Sequence, residues 1–309
     1  METLIRPAES DDRDAVASFT TDTWADRGGG DYVPHVFEEW VAADGDGDQT
    51  FVADADGRAV GLVRVSLLSP YEAWLQGMRV DPGYRGHDVG LDLVTAGFDW
   101  ARERGAGVAR NMVFSWNVAG LGHSRAAGFE PATGFRWANP EPDPEASPGT
   151  ASDADRSVTA EPADAWSFWT GSDARTHLRG LALDDEVTWA VSELTRGRLR
   201  EAAADDRLFV VGDGGGTRGF TLRTRTVDRE RDGGETETWA EYAVAAWEGT
   251  EAARALYDAV ARDASAVGAD RTRVLIPEGV RWVSDTAAAR VGVSEEPDFV
   301  LARDLASRQ

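Results

Sequence analysis

The sequence predicts an α/β protein built from two domains. Strand and helix signals alternate along both halves, their order is similar in the two halves, and a proline-rich acidic stretch divides them. With 309 residues, 42% of them hydrophobic, the chain has material for two cores of ordinary size.

In the first half, residues 3–6 have strand character, and Ser10 stands where it would cap a helix that turns Ala15, Val16 and Phe19 inward. Gly28-Gly29-Gly30 breaks that pattern before a second helix over 32–41, carrying Val33, Val36, Phe37 and Trp40. Residues 51–53 and 59–68 flank Asp54-Ala55-Asp56-Gly57, a hairpin signature. A strand follows over 73–80. The next helix, 91–104, places Leu91, Val94, Phe98 and Ala101 on one face and stops at Gly105. A strand over 108–114 and a short helix over 117–127, closed by Gly128-Phe129, complete this half. Residues 139–157 combine four prolines with acidic and small residues, a composition that cannot form a core and reads as a linker. Beyond it, strands at 208–211 and 219–226 surround Gly214-Gly215-Gly216. A strand at 239–246, a helix at 250–267, a strand at 273–276, a helix at 280–291 and a final strand at 299–301 follow. This order supports an internal duplication.

Charge narrows the partners. Acidic residues number 55 against 32 basic, all arginine, for a net charge of −23. Such a field repels nucleic acid and anionic membranes. It fits either an acidic surface for a cationic substrate or a surface adapted to molar salt, where the Debye length falls to about 3 Å. The acidity is spread along the whole chain, which favours the second reading and gives a haloarchaeal type of composition. Cysteine is absent, excluding disulfides, thiolate metal sites and a cysteine nucleophile. The four histidines are scattered without ligand spacing, so no metal is expected. Twelve tryptophans, Trp74, Trp100, Trp166, Trp169, Trp189 and Trp239 among them, read as core or interface residues. No apolar run reaches membrane-spanning length and no basic segment precedes an apolar one at the start, so a cytoplasmic protein is expected.

The sharpest feature is Val80-Asp81-Pro82-Gly83-Tyr84-Arg85-Gly86-His87-Asp88-Val89-Gly90-Leu91. A strand ends, Asp-Pro-Gly turns the chain, and a glycine-bearing loop opens into an amphipathic helix. Unpaired N–H groups at a helix start, with about half a positive charge from the dipole, form an anion site suited to a diphosphate. Glycine at 86 and 90 lets a phosphate approach the backbone.

Here the sequence resembles the GNAT acetyltransferase superfamily. Arg85 and Gly90 match the first and last positions of that family's Gln/Arg-x-x-Gly-x-Gly/Ala motif, while Asp88 replaces its middle glycine. Asn117 leading through a short helix to Gly128-Phe129, the strand Ile5-Arg6-Pro7, and the hairpin Asp56-Gly57-Arg58 follow the family's order. The resemblance implies tandem domains 1–138 and 158–309, each a mixed, mostly antiparallel central sheet flanked by helices (α/β, in the α+β arrangement). The second lacks the motif, carries Trp247-Glu248-Gly249-Thr250-Glu251 in its place, and is expected to be a degenerate half that binds no CoA.

By the same resemblance, acetyl-CoA is the co-substrate. Its diphosphate would sit on Arg85, Gly86, His87, Asp88, Val89, Gly90 and Leu91, and its pantetheine on the backbone of Met78 and Val80 with Asn117. The acceptor would be a primary amine of a small molecule or peptide, attacked directly, and a homodimer is an open assembly state. Glu72 is the first candidate base, followed by Asp31 and Glu38, with Gln76 where the family often has glutamate. Ser124 stands where many members carry a proton-donating tyrosine, and His123 beside it titrates in the useful range. Each has a plainer reading: Arg85 in a surface ion pair, Asn117 as a helix cap, His123 on a helix surface, His35 as structural. Asp88 and Ser124 also admit a non-catalytic acyl-CoA sensor or interaction protein. A different doubly wound nucleotide-binding fold is disfavoured, because Gly-x-Gly-x-x-Gly and its acidic ribose partner are missing.

Overall fold

The computed structural model describes residues 3–24, 30–146, 157–230 and 235–306. The elements up to residue 139 are β1 (Leu4–Pro7), α1 (Arg13–Thr20), α2 (Val33–Ala43), β2 (Asp48–Ala55), β3 (Arg58–Ser69), β4 (Glu72–Val80), α3 (Val89–Glu103), β5 (Val108–Phe114), α4 (Val118–Ala126) and β6 (Glu130–Asn139). After residue 156 come β7 (Ser157–Thr159), α5 (Pro162–Gly171), α6 (Asp173–His177), β8 (Leu181–Leu183), β9 (Val191–Glu193), α7 (Arg196–Ala204), β10 (Leu208–Asp213), β11 (Gly216–Glu230), β12 (Thr236–Trp247), α8 (Thr250–Ala266), β13 (Arg271–Pro277), α9 (Val280–Ala288), β14 (Gly292–Val293) and β15 (Asp298–Asp304). Residues 147–156 of the expected linker and Gly28-Gly29 lie outside the described residues. Among the described residues no helix is long and apolar enough to cross a membrane.

Two compact units emerge. The first is Met1–Val113, Asn117–Pro131 and Val300–Gln309; the second is Phe114–Trp116 and Ala132–Phe299.

In the first unit the strand order is β1-β2-β3-β4-β5-β15. The pairs from β1 to β4 are antiparallel, and β4 runs parallel to β5. The β2–β3 turn forms as its sequence predicts: Asp56 and Gly57 both take positive φ (53° and 83°), as a type I′ turn requires. On one side, Val16 of α1 and Val33, Phe37 and Trp40 of α2 pack with Val52, Ala59 and Leu62. Elsewhere α3 buries Val89, Leu93, Val94, Gly97, Phe98 and Ala101, while Leu91 is half-buried. The inward face is thus shifted from the one read in the sequence. It lies close to β3 because Gly61 and Gly97 carry no side chain: a Cβ on Gly97 would stand 2.8 Å from Val65.

Ser10 does not cap α1. It lies inside a short 3₁₀ turn, Ser10–Asp12, where Glu9 and Asp12 satisfy each other's backbone N–H reciprocally. Two acids three residues apart outcompete the serine between them. The final strand read at 299–301 is β15, which lies beside β5. Arg303 of β15 donates to the Ala127 carbonyl and stacks 4.8 Å from the Phe98 ring. Just beyond it, the Leu305 N–H donates to Gly107 O at 2.9 Å.

In the second unit the strand order is β6-β13-β12-β11-β10-β7, with β14 beside β6 and β8–β9 as a separate pair. Here β12 and β13 are the parallel pair, repeating the β4–β5 relationship that the similar element order suggested. The elements between residues 157 and 204 were not legible in the sequence.

Candidate functional site

Between β4 and α3, local chemistry shapes the loop. Asp81 accepts the Gly83 N–H at 2.9 Å and turns the chain through Pro82–Tyr84. Gly86 takes φ +79° and Asp88 φ +60°, and α3 begins at Val89. Among the described residues, none accepts a hydrogen bond from the N–H groups of Asp88 through Leu91. These donors and the helix dipole leave a concentrated partial positive charge at the mouth of α3. Asp88 does not fill that mouth: it is exposed and its carboxylate caps nothing. Its left-handed backbone explains its place in the motif, because after glycine, Asp and Asn tolerate that conformation best. Exposed Arg85 donates from Nε to Val80 O at 3.2 Å, holding its guanidinium over the strand end. The His87 Nδ1 stands 3.1 Å from the Arg85 carbonyl. Gly90 is required for space, because a Cβ there would stand 2.7 Å from His123 Cε1.

Beside the loop, β4 parts from β5. Their parallel pairing runs Glu72↔Val108, Ala73↔Ala109 and Trp74↔Arg110, and no described pair joins them beyond it. On its other edge β4 follows β3 to Val80, but between Arg64↔Gln76 and Leu62↔Arg79 it carries one extra residue. Gly77, φ +67°, lies in this bulge. A bulge bends its strand and increases its twist, which turns β4 away from β5. A Cβ on Gly77 would lie 2.6 Å from the Trp40 ring and 3.8 Å from the Tyr32 hydroxyl, so both aromatics of the α2 region abut the bulge. A lone glycine inside a strand pattern was the available sequence signal.

A second cluster borders the bulge. Arg79 donates to the buried Asp31 carboxylate at 2.6 and 3.3 Å, and Asp31 also accepts the Val33 N–H at 3.0 Å at the start of α2. The same guanidinium lies 5.2 Å from the Trp24 ring and 5.9 Å from that of Tyr32. Tyr32 is 42% exposed as a residue, but burial of its phenol pushes that group up against the opposing pull of Arg79. Arg79 also donates to the Met78 carbonyl at 3.0 Å. The sequence named Asp31 but offered no sign of its partner, which lies 48 residues away.

Of the other candidates, His123 meets the loop at Gly90, while Glu72 and Glu38 do not. Glu72 is buried at the closed end of the β4–β5 pair, where it binds Arg110 and accepts from Ser69 Oγ at 3.0 Å. It is eight residues from Val80, about 26 Å along an extended strand. Glu38 is exposed and lies 3.4 Å from Arg13. His35 is exposed on α2, and Gln76 is half-buried in β4. Ser124 is buried and accepts from Asn111 Nδ2 of β5 at 2.9 Å. The Nε2 of His123 is enclosed without a partner among the described residues, and burial pushes its pKa down. Asn117 accepts the Gly120 N–H at 2.9 Å, capping α4.

In the second unit the turn into α8 differs. Gly249, φ +83°, opens the helix. Asp285 of α9 leans over its first turn, accepting from Thr250 Oγ1 at 2.8 Å and Trp247 Nε1 at 2.9 Å. Arg218, beside it, binds Asp213 at 2.8 Å and Glu248 at 3.4 Å.

A bulged strand splitting from a parallel neighbour, with unpaired N–H groups at the next helix, defines an acetyltransferase-type α/β fold. Residues 14–125 match the model of the Acetyltransferase (GNAT) family. Over 87 residues the chain is 38% identical to a streptothricin acetyltransferase of Streptomyces lavendulae, covering 26% of this chain and 44% of that enzyme. Among solved structures, a GCN5-related N-acetyltransferase from Sphaerobacter thermophilus matches 98% of this chain and 96% of its own, at TM-score 0.59 and 17% identity. A tandem GNAT protein from the clavulanic acid biosynthesis pathway matches 100% of both chains, at TM-score 0.54 and 13% identity. The chain therefore has the fold of two GNAT domains in tandem.

Proposed function

We propose that the protein is an N-acetyltransferase that moves an acetyl group from acetyl-CoA directly to a primary amine of a small molecule or peptide. The free N–H groups of Asp88 to Leu91, at the end of a strand that has parted from its neighbour, carry this reading. Arg85 and these amides would hold the diphosphate, and the β4 edge at Met78–Val80 the pantetheine. The donor site falls within 1–138. Residues 158–309 would form the degenerate domain, since Asp285, Asp213 and Glu248 crowd its helix mouth with negative charge. The relation to an enzyme named for acetylating streptothricin supports transfer to an amine.

In the reaction, the amine nitrogen attacks the thioester carbon and the carbon–sulfur bond breaks. The proton lost by nitrogen leaves through a base or water, and the thiolate gains one. Asp31 is fully buried and already held by Arg79 and the Val33 N–H, so we read it as fixing the start of α2 against the bulge. We read Glu72 as holding the β4–β5 pair together below the split, because Arg110 and Ser69 already engage it. The Ser124 hydroxyl and His123 remain the proposed proton donors on the α4 side.

Calorimetric titration with acetyl-CoA at molar salt, followed by an amine panel with thiol detection, tests the proposal. Saturable binding with acceptor-dependent thiol release is the expected result. Absence of binding would overturn the donor site, and binding without turnover on any amine would leave an acyl-CoA sensor instead.

A further inference from the structure

The β4 bulge meets a hydroxyl that the reaction described above does not use. Tyr32 stands at the entry to α2, where its carbonyl accepts the N–H groups of His35 at 3.0 Å and Val36 at 3.3 Å. Its chain neighbours Asp31 and Val33 are both buried. From this fixed backbone the side chain reaches to the bulge. The hydroxyl stands 3.8 Å from where a side chain on Gly77 would begin. Trp40 meets the ring edge-on, with centroids 5.9 Å apart and planes at 76°. The Arg79 guanidinium, tied to Asp31, lies 5.9 Å from the same ring. The start of α2 and the Asp31–Arg79 pair thus hold one phenol at the point where β4 turns from β5.

That phenol keeps a hydrogen to give. Among the described residues no group accepts it. Burial holds the phenol above its ordinary range, against the pull of Arg79 and the Gly77 N–H, so the proton stays on oxygen at neutral pH. A neutral O–H held in place before the reaction is suited to stabilising charge that develops on a carbonyl oxygen. The expected path of the donor brings such an oxygen near. With its diphosphate at the mouth of α3 and its pantetheine along Val80 and Met78, the molecule runs down β4 toward lower residue numbers. Strand residues advance by about 3.3 Å each, so the thioester beyond Met78 falls beside Gly77.

We propose that Tyr32 is a catalytic residue of acetyl transfer, its phenol donating a hydrogen bond to the thioester carbonyl oxygen. This deepens the acetyltransferase reading and rests on it. As the amine nitrogen bonds to the carbonyl carbon, the π pair moves to oxygen, and Tyr32 stabilises that charge without giving up its proton. The pair returns when the carbon–sulfur bond breaks, and the departing thiolate is protonated on the α4 side. Tyr32 and the α4 groups therefore serve opposite ends of one step.

The test reads the carbonyl itself, by infrared difference spectra of acetyl-CoA isotope-labelled at its carbonyl carbon and bound to the full chain. In wild type the carbonyl stretch should lie at lower frequency than in Tyr32→Phe, which keeps the ring and its contact with Trp40. In Tyr32→fluorotyrosine, whose phenol is a stronger donor, it should lie lower still. That variant retains both ring and hydroxyl, so it decides the question if Tyr32→Phe does not fold. With an acceptor in hand, kcat of Tyr32→Phe should fall roughly a hundredfold, while its calorimetric affinity for acetyl-CoA stays within about threefold. Equal stretch frequencies across the proteins, or an unchanged kcat in Tyr32→Phe, would overturn the role of Tyr32 and leave the transferase reading standing. Failure of wild type to bind acetyl-CoA would overturn that reading and this role with it.

Discussion

His123 lies against Gly90, its Cε1 2.7 Å from where a side chain on that glycine would begin. The second residue of α3 is thus kept bare by a ring on α4, beside the proposed diphosphate cradle. Gly90→Ala would normally favour a helix, but here it must displace the imidazole and the loop with it. It should weaken acetyl-CoA binding about tenfold, or roughly 1.4 kcal/mol by calorimetry, and adding His123→Ala should restore most of the loss. Equal weakening in the single and double variants would refute the steric account.

Asp88 separates backbone need from charge. Asp88→Gly relieves the left-handed strain and removes a carboxylate beside the cradle, so stability should hold and acetyl-CoA should bind several-fold tighter. Asp88→Ala removes the charge but keeps the strain, and should cost roughly 1 kcal/mol in thermal unfolding. Weaker donor binding by the glycine variant would place the carboxylate in the cradle after all.

Gly77→Ala would drive a Cβ into Trp40 and strain a positive φ at once. The two effects together should destabilise the protein by roughly 3 kcal/mol in chemical denaturation. Any folded fraction should lose transferase activity, since the bulge opens β4 from β5. A variant with unchanged stability would show that Trp40 yields.

Glu72→Gln tests positioning against base chemistry. Leaving Arg110 buried without its partner should cost about 3–5 kcal/mol of stability. If Glu72 is structural, the acidic limb of the kcat pH profile should survive in the variant measured below its unfolding temperature. Loss of that limb would restore Glu72 as the base.

Stability should depend on pH in two opposing ways. His123 is held below its free value by burial, so the folded state binds its proton less readily than the unfolded state. Its contribution is present above about pH 6.5 and lost as pH falls. Asp298, raised to about 6 by burial, does the reverse: stability present below about pH 4 is lost as pH rises to 6. Asp298→Asn should flatten the second trend, and NMR titration of His123 should give a midpoint below that of a free imidazole.

What could be read without coordinates was local. Asp56-Gly57 announces its turn, the spacing of apolar residues announces α3, and Gly86 through Gly90 announce a loop feeding a helix, because each signal lies within a few residues. Asp88 was a departure from a motif until its φ showed why aspartate serves there. Ser10 misled because the competing pair, Glu9 and Asp12, surrounds it at the same short range.

Contacts between distant residues were settled by folding alone. Arg79 finds Asp31 across 48 positions, Arg110 finds Glu72 across 38, and β15 takes its place beside β5. Glu241 draws three arginines that sequence places on two separate strands. Periodicity constrains which face of an element is buried, but partner choice depends on which faces meet, and that energy exists only once the sheets are assembled.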